Sequence, residues 1–238
     1  YVFDDKLRGK AKVIKYVKDA KGRPLKFESI DSENSAKSLY LTIDKDLQSM
    51  AEKALKEAVI ESKALKGGVG VMDAKTGEIL AIANYPTFDP NAIQNKYLKN
   101  TKLSFISDPF EPGSVFKTFT VASAFENKIA MPDTNFYCER GSLKIGEHVI
   151  READLKKNYE WLSVSEILKY SSNIGTTKIA FDLTFPKLRK TLVDLSVGQK
   201  TGVEMPGESR GIFTSKVNIT PLSLSNISFG QGVATTGV

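Results

Sequence analysis

The sequence predicts a mixed α/β (α+β) domain, and three observations predict it. Helical apolar periodicity recurs over about 45–62 and again over about 114–127. Two apolar runs, 69–72 and 79–83, flank Ala74-Lys75-Thr76-Gly77 and read as a β-hairpin. The 238 residues, 41% hydrophobic and 26% charged, suffice for one full core or for one domain with a small appendage.

Residues 1–40 are polar and rich in lysine. Loose alternation over Lys12 to Lys18, a turn at Asp19-Ala20-Lys21-Gly22, and a second run from Pro24 predict a hairpin at a domain edge. A polar linker spans 29–37. Leu39-Tyr40-Leu41-Thr42-Ile43 reads as a short strand. Asp44 caps the next helix, which carries Leu47, Met50, Ala51, Ala54, Leu55, Ala58 and Val59 at helical spacing. Gly67-Gly68 ends it, and the hairpin comes next.

Residues 84–110 read as loop, marked by Pro86, Pro90 and Pro109. The helix from Ser114 to about Asn127 is apolar around most of its circumference, which predicts burial on all sides. Short strands and loops fill 131–160. Ser163 and Glu166 form a capping box. The polar stretch 170–173 breaks that helix, and another runs to about Leu183. A third starts near Pro186 and ends near Leu195. Gly198 to Val238 is rich in Gly, Pro, Ser and Thr.

Composition excludes several chemistries. One cysteine, Cys138, forbids an intramolecular disulfide. With it, a single histidine, His148, excludes zinc sites built from several Cys and His. A Ser-His-Asp triad would need His148, and no G-x-S-x-G elbow accompanies it. The net charge of +6 comes from scattered lysines, which fits a solvated surface and no nucleic-acid partner. No run of 18 apolar residues and no signal peptide are present.

Ser114-Val115-Phe116-Lys117 is the stretch that carries chemistry. Residues i and i+3 share a helix face, so the Lys117 amine can reach the Ser114 hydroxyl. A lysine of ordinary pKa, about 10.4, is a poor base at neutral pH. Burial lowers that value, and a neutral amine could then take the serine proton as the hydroxyl attacks a carbonyl. An S-x-x-K alone is a weak signal, since a capping serine and a surface lysine spell the same motif. Ser171-Ser172-Asn173, between two helices, adds a second polar cluster; another S-x-N stands at Ser32 in the linker.

These segments together resemble the class B penicillin-binding proteins of the division type. Leu41 to Asp44 with Gln48 and Glu52, and then Gly70 to Pro86, are similar to the entry of their transpeptidase domain. Glu111-Pro112-Gly113-Ser114-Val115-Phe116-Lys117 resembles their nucleophile segment, and Tyr170 to Gly175 their second motif. Gly198 to Glu208 and Ser228 to Gly232 resemble downstream segments. The resemblance implies the penicillin-binding/serine β-lactamase-like transpeptidase fold over 41–238, with 1–40 the end of a non-catalytic pedestal domain. It implies Ser114 as nucleophile, Lys117 as general base, Ser171 as proton relay and Asn173 as a substrate-peptide ligand. The implied partners are a peptidoglycan stem ending in D-Ala-D-Ala, an acceptor amine, β-lactams and membrane division proteins, with no metal or organic cofactor. The implied setting is septal wall synthesis, with the catalytic domain outside the inner membrane and a single-pass anchor outside this segment.

The family's third motif, Lys-(Ser/Thr)-Gly, lies on a strand farther downstream, and no such strand comes after Gly232 in this chain. Lys-Thr-Gly does occur twice, at 75–77 and 200–202. Both copies read as turn or loop, and Lys200 is expected to stay away from Ser114. Without the strand, activity of this segment by itself is expected to be impaired. A carboxypeptidase or β-lactamase-like hydrolase would use the same Ser-Lys pair, and a silent division scaffold is the non-enzymatic alternative.

Overall fold

A computed structural model describes residues 3–9, 13–30, 36–92, 100–216 and 218–238. Near the N-terminus a short helix, α1 (Asp4–Arg8), precedes the antiparallel hairpin of β1 (Val13–Lys18) and β2 (Pro24–Ile30). Asp19 closes its turn by accepting from the N–H groups of Lys21 and Arg23 at 2.8 and 2.9 Å. Most of the expected linker, with Ser32, lies outside the described residues.

The strand expected at 39–43 is absent; this stretch is irregular. It nevertheless runs beside β4 (Ile79–Tyr85). Thr42 Oγ1 donates to the Ile79 carbonyl at 2.5 Å, and the Asp44 N–H to that of Leu80 at 2.8 Å. Asp44 then caps α2 (Lys45–Glu61) through its side chain. One turn on, Gln48 acts as a surrogate strand residue: its amide accepts from the Ile82 N–H at 2.9 Å and donates to the Ile82 carbonyl at 3.0 Å. One helix side chain, Gln48, thus takes a place on the outer edge of β4 that a paired strand would otherwise cover.

β3 (Gly67–Met72) pairs antiparallel with β4 as expected. Glycines in β3 allow close approach on both faces. A Cβ at Gly67 would meet Val59 of α2 at 2.7 Å, and one at Gly70 would meet the ring of Phe105 at 2.7 Å. Phe105 belongs to α3 (Ser104–Ser107), within a segment read from sequence as loop.

The core lies among helices. α4 (Lys117–Glu126), α5 (Val164–Tyr170), α7 (Phe185–Asp194) and α8 (Pro221–Ser228) pack around α6 (Asn173–Leu183). α6 buries Ile174, Ile179, Ala180 and Leu183. Buried hydroxyls pair across these contacts: Thr177 with Ser225 at 2.7 Å, and Ser123 with Thr191 at 2.8 Å. Such pairing removes the penalty of burying them. Two small antiparallel ribbons flank the bundle. β5 (Asn135–Tyr137) pairs with β8 (Trp161–Ser163), and β6 (Ser142–Ile145) with β7 (His148–Arg151).

Two expectations about helices need correction. Residues 113–116 form a 3₁₀ turn, with α4 starting only at Lys117. The segment is also not buried all round: Val115, Phe119 and Phe125 are exposed, because the described residues cover only the face that carries Phe116, Lys117, Thr120 and Val121. α8 went unread in the sequence, although Thr220 caps it and Pro221 opens it.

Candidate active site

The approach to Ser114 is shaped by glycines. Gly113 has φ of +62°, a left-handed value that disfavours a side chain. Its N–H donates to the Gly230 carbonyl at 3.0 Å, and Glu111 accepts from the Gly232 N–H at 2.8 Å. Residues 228–232 therefore brace the turn from behind. Phe116, buried in the helical core, anchors its other end.

In a 3₁₀ turn, i and i+3 eclipse one another. Ser114 is exposed while Lys117 is only 1% exposed, and Lys117 Nζ lies 3.2 Å from Ser114 Oγ. The nucleophile candidate thus faces solvent and the base candidate sits beneath it. Lys117 Nζ is also 2.7 Å from the Ser171 carbonyl oxygen and 2.9 Å from Ser171 Oγ. The carbonyl can only accept, so it claims one N–H of the amine. The two hydroxyls can each donate or accept.

Ser171 reaches the lysine because it ends α5 in the left-handed conformation, φ 57° and ψ 46°. That geometry turns its carbonyl out of the helix. Ser172 caps α6: its Oγ accepts from the Gly175 N–H at 2.9 Å. The same Oγ donates to Glu152 Oε1 at 2.6 Å, and the Asn173 N–H donates to Glu152 Oε2 at 2.7 Å. Asn173 Nδ2 donates to the Arg151 carbonyl at 2.9 Å.

Three of the four expected site residues, Ser114, Lys117 and Ser171, therefore meet in one hydrogen-bonded cluster. Asn173 stands at its rim, half-exposed and bonded to the end of β7. Glu152, 4% exposed, was not singled out in the sequence. Between Arg151 and Ala153-Asp154 it reads as one more surface charge.

Burial pushes the Lys117 amine down from 10.5 to about 8. The neighbouring Glu152 carboxylate opposes that shift, and the Lys157 ammonium adds to it. A base with this value is partly neutral near neutral pH.

Neither Lys-Thr-Gly copy takes part. At 75–77 the Asp73 carboxylate accepts from the Lys75 and Thr76 N–H groups in the hairpin turn. At 200–202 the loop folds onto Glu208, which accepts from Thr201 N–H and Oγ1 at 2.5 and 2.7 Å and from Gly202 N–H at 3.2 Å. Among the described residues, no hydrogen bond links Lys200 to Ser114.

Known proteins share this arrangement of elements. The family model described as penicillin binding protein transpeptidase domain matches residues 67–238. The "Peptidoglycan D,D-transpeptidase FtsI" of Buchnera aphidicola subsp. Schizaphis graminum is 32% identical over 234 residues, covering 98% of this chain and 40% of that protein. The "Probable peptidoglycan D,D-transpeptidase PenA" of Neisseria flavescens is 32% identical over 237 residues, covering 97% of this chain and 57% of that protein. A solved structure from Atopobium parvulum, titled a putative peptidoglycan glycosyltransferase, superposes with a TM-score of 0.81 at 27% identity, over 100% of this chain and 52% of that one. The transpeptidase domain of Burkholderia pseudomallei penicillin-binding protein 3 gives 0.72 at 28%, over 82% and 54%. The chain spans about 40–57% of the length of these curated relatives.

Proposed function

The chain belongs to the penicillin-binding protein transpeptidase domain family, of the class B division type, and from that premise we propose that its parent protein is a peptidoglycan D,D-transpeptidase of septal wall synthesis. The observation that carries this reading is the buried Lys117 amine held 3.2 Å from an exposed serine hydroxyl. Ser114 Oγ attacks the carbonyl carbon of the penultimate D-Ala of a stem peptide, and neutral Lys117 takes the hydroxyl proton. The peptide C–N bond breaks. The proton passes by way of Ser171 to the departing D-Ala amine, leaving an ester on Ser114. An amine of a neighbouring stem then attacks the ester, Lys117 accepts its proton, and the proton returns to the Ser114 oxygen as the cross-link forms. Asn173 orients the peptide at the rim of the site. β-Lactams acylate the same serine.

In this reading residues 1–40 close a pedestal domain, the catalytic domain lies outside the inner membrane, and membrane division proteins are its partners. No helix among the described residues is long and apolar enough to cross a membrane.

The test uses the full-length protein with a labelled penicillin, and the adduct is mapped by mass spectrometry. A covalent adduct on the Ser114 peptide, lost in Ser114→Ala, is expected. An unlabelled Ser114 overturns the proposal.

A further inference from the structure

Glu152 ties the end of β7 to the turn between α5 and α6, two parts of the site that the sequence keeps apart. It comes directly after β7, lies 20 residues before Ser172 in sequence, and is 4% exposed. A carboxylate so buried needs partners for both oxygens. It has two, and both belong to the turn between α5 and α6: the Ser172 hydroxyl at 2.6 Å and the Asn173 N–H at 2.7 Å. These distances are those of charge-assisted hydrogen bonds. The turn they hold is the one whose preceding residue, Ser171, presents its carbonyl and hydroxyl to Lys117 at 2.7 and 2.9 Å.

We propose that Glu152 is a positioning residue of the acylation site: its carboxylate fixes the Ser171–Asn173 turn through both oxygens. The proposal rests on the reading of Lys117 as general base.

The charge of the same carboxylate also bears on the Lys117 proton, and the two effects pull in opposite directions. Fixing the turn favours acylation, because Ser171 is then already in place when Ser114 attacks. The charge favours the ammonium, which cannot act as a base. Glu152 raises the Lys117 value while burial and Lys157 lower it. The balance leaves the amine at about 8 rather than lower. Cys138 lies behind Ser172, its Sγ 3.7 Å from Ser172 Oγ, and Glu152 helps to raise that thiol above its ordinary value, after burial. The Lys178–Glu139 ion pair, at 2.7 Å, also bears on Cys138, with its two charges opposed.

A residue that only props up the fold would not set where Lys117 titrates. Glu152→Gln keeps the shape and removes the charge. Glu152→Asp keeps the charge and shortens the reach. Two measurements on the full-length protein separate the roles: the pH profile of acylation by a fluorescent penicillin, and the Lys117 titration followed by the ¹⁵Nζ resonance. In Glu152→Gln the Lys117 titration and the acid limb of acylation both move to lower pH, while the plateau rate falls about tenfold as the turn loosens. In Glu152→Asp the limb stays near its original position while the plateau falls. A Lys117 titration that does not move in Glu152→Gln, or moves upward, overturns the charge role. A plateau unchanged in Glu152→Asp overturns the positioning role, and this arm stands even where the glutamine variant fails to fold. The ¹⁵N readout needs no acylation, so it tests this inference separately from the transpeptidase reading, which fails only if the unsubstituted protein forms no adduct.

Discussion

A Cβ placed on Gly230 would lie 2.1 Å from the Gly113 carbonyl oxygen and 2.7 Å from its nitrogen. The two glycines are 117 positions apart in sequence, yet their backbones touch directly behind Ser114. Gly230 also has φ of +82°. Gly230→Ala is therefore expected to destabilise the protein by about 2–4 kcal/mol, from left-handed strain plus a backbone clash. Penicillin acylation should fall with it, because the displaced neighbour carries the nucleophile. Gly232, also left-handed at +69°, has nothing within 4 Å of its would-be Cβ. Gly232→Ala should cost only the strain, about 1 kcal/mol. Urea unfolding of both variants checks the difference, and equal losses would count against the close approach.

Lys117 makes acylation pH-dependent. Its value, lowered from 10.5 to about 8, means that the neutral amine gains population as pH rises through that point. Acylation by a labelled penicillin should climb over the same interval, and Lys117→Ala should reduce it by about 10²–10⁴-fold. Lys117→Arg should not restore it, since guanidinium stays charged. A profile flat from about pH 6 to 9 would contradict the base assignment.

Ser171 trades stability for placement. A serine at φ 57° carries left-handed strain that glycine does not. Ser171→Gly should leave stability unchanged or raise it by up to about 1 kcal/mol, while removing the hydroxyl 2.9 Å from Lys117 slows acylation. Thermal melting and acylation should thus move independently. A parallel loss of both would mean that the serine supports the fold rather than the chemistry.

Asp108 gives an acid-sensitive clamp away from the site. Bonds from Lys102 and Lys66, at 2.5 and 2.6 Å, hold its carboxyl down from 3.8 to about 2. A depressed carboxylate stabilises the fold fully above its unfolded value, and that stability is lost as pH falls from about 3.8 through about 2. Both lysines are largely exposed, so the effect is small. Melting curves of Asp108→Asn should converge with those of the unsubstituted protein near about pH 2 and diverge above about pH 4. Curves that stay equally separated at every pH would refute the clamp.

The contrast between expectation and structure is physical. The Ser114–Lys117 pair could be read from sequence because the two residues are three positions apart and one local turn brings them together. The capping box of Ser163 and Glu166 is equally local, and it formed as read. Leu39 to Ile43 reads as a strand, yet it meets β4 through the Thr42 side chain at Ile79, and Gln48 of α2 takes both backbone groups of Ile82 farther along that edge. Propensity cannot report that competition, because the winner comes from another element.

By itself the sequence determined most of the helices, the two hairpins, the family resemblance and the Ser-x-x-Lys pair, all of which depend on local spacing. The tertiary structure decided which lysine face is buried, and it turned the Ser171 carbonyl as well as its hydroxyl toward the amine. It also drew Glu152 beneath the Ser172-Asn173 turn and set Gly230 against Gly113. Each of these depends on a contact between residues 20 or more positions apart. Burial and charge pairing at such separations arise only from packing, and no local pattern encodes them.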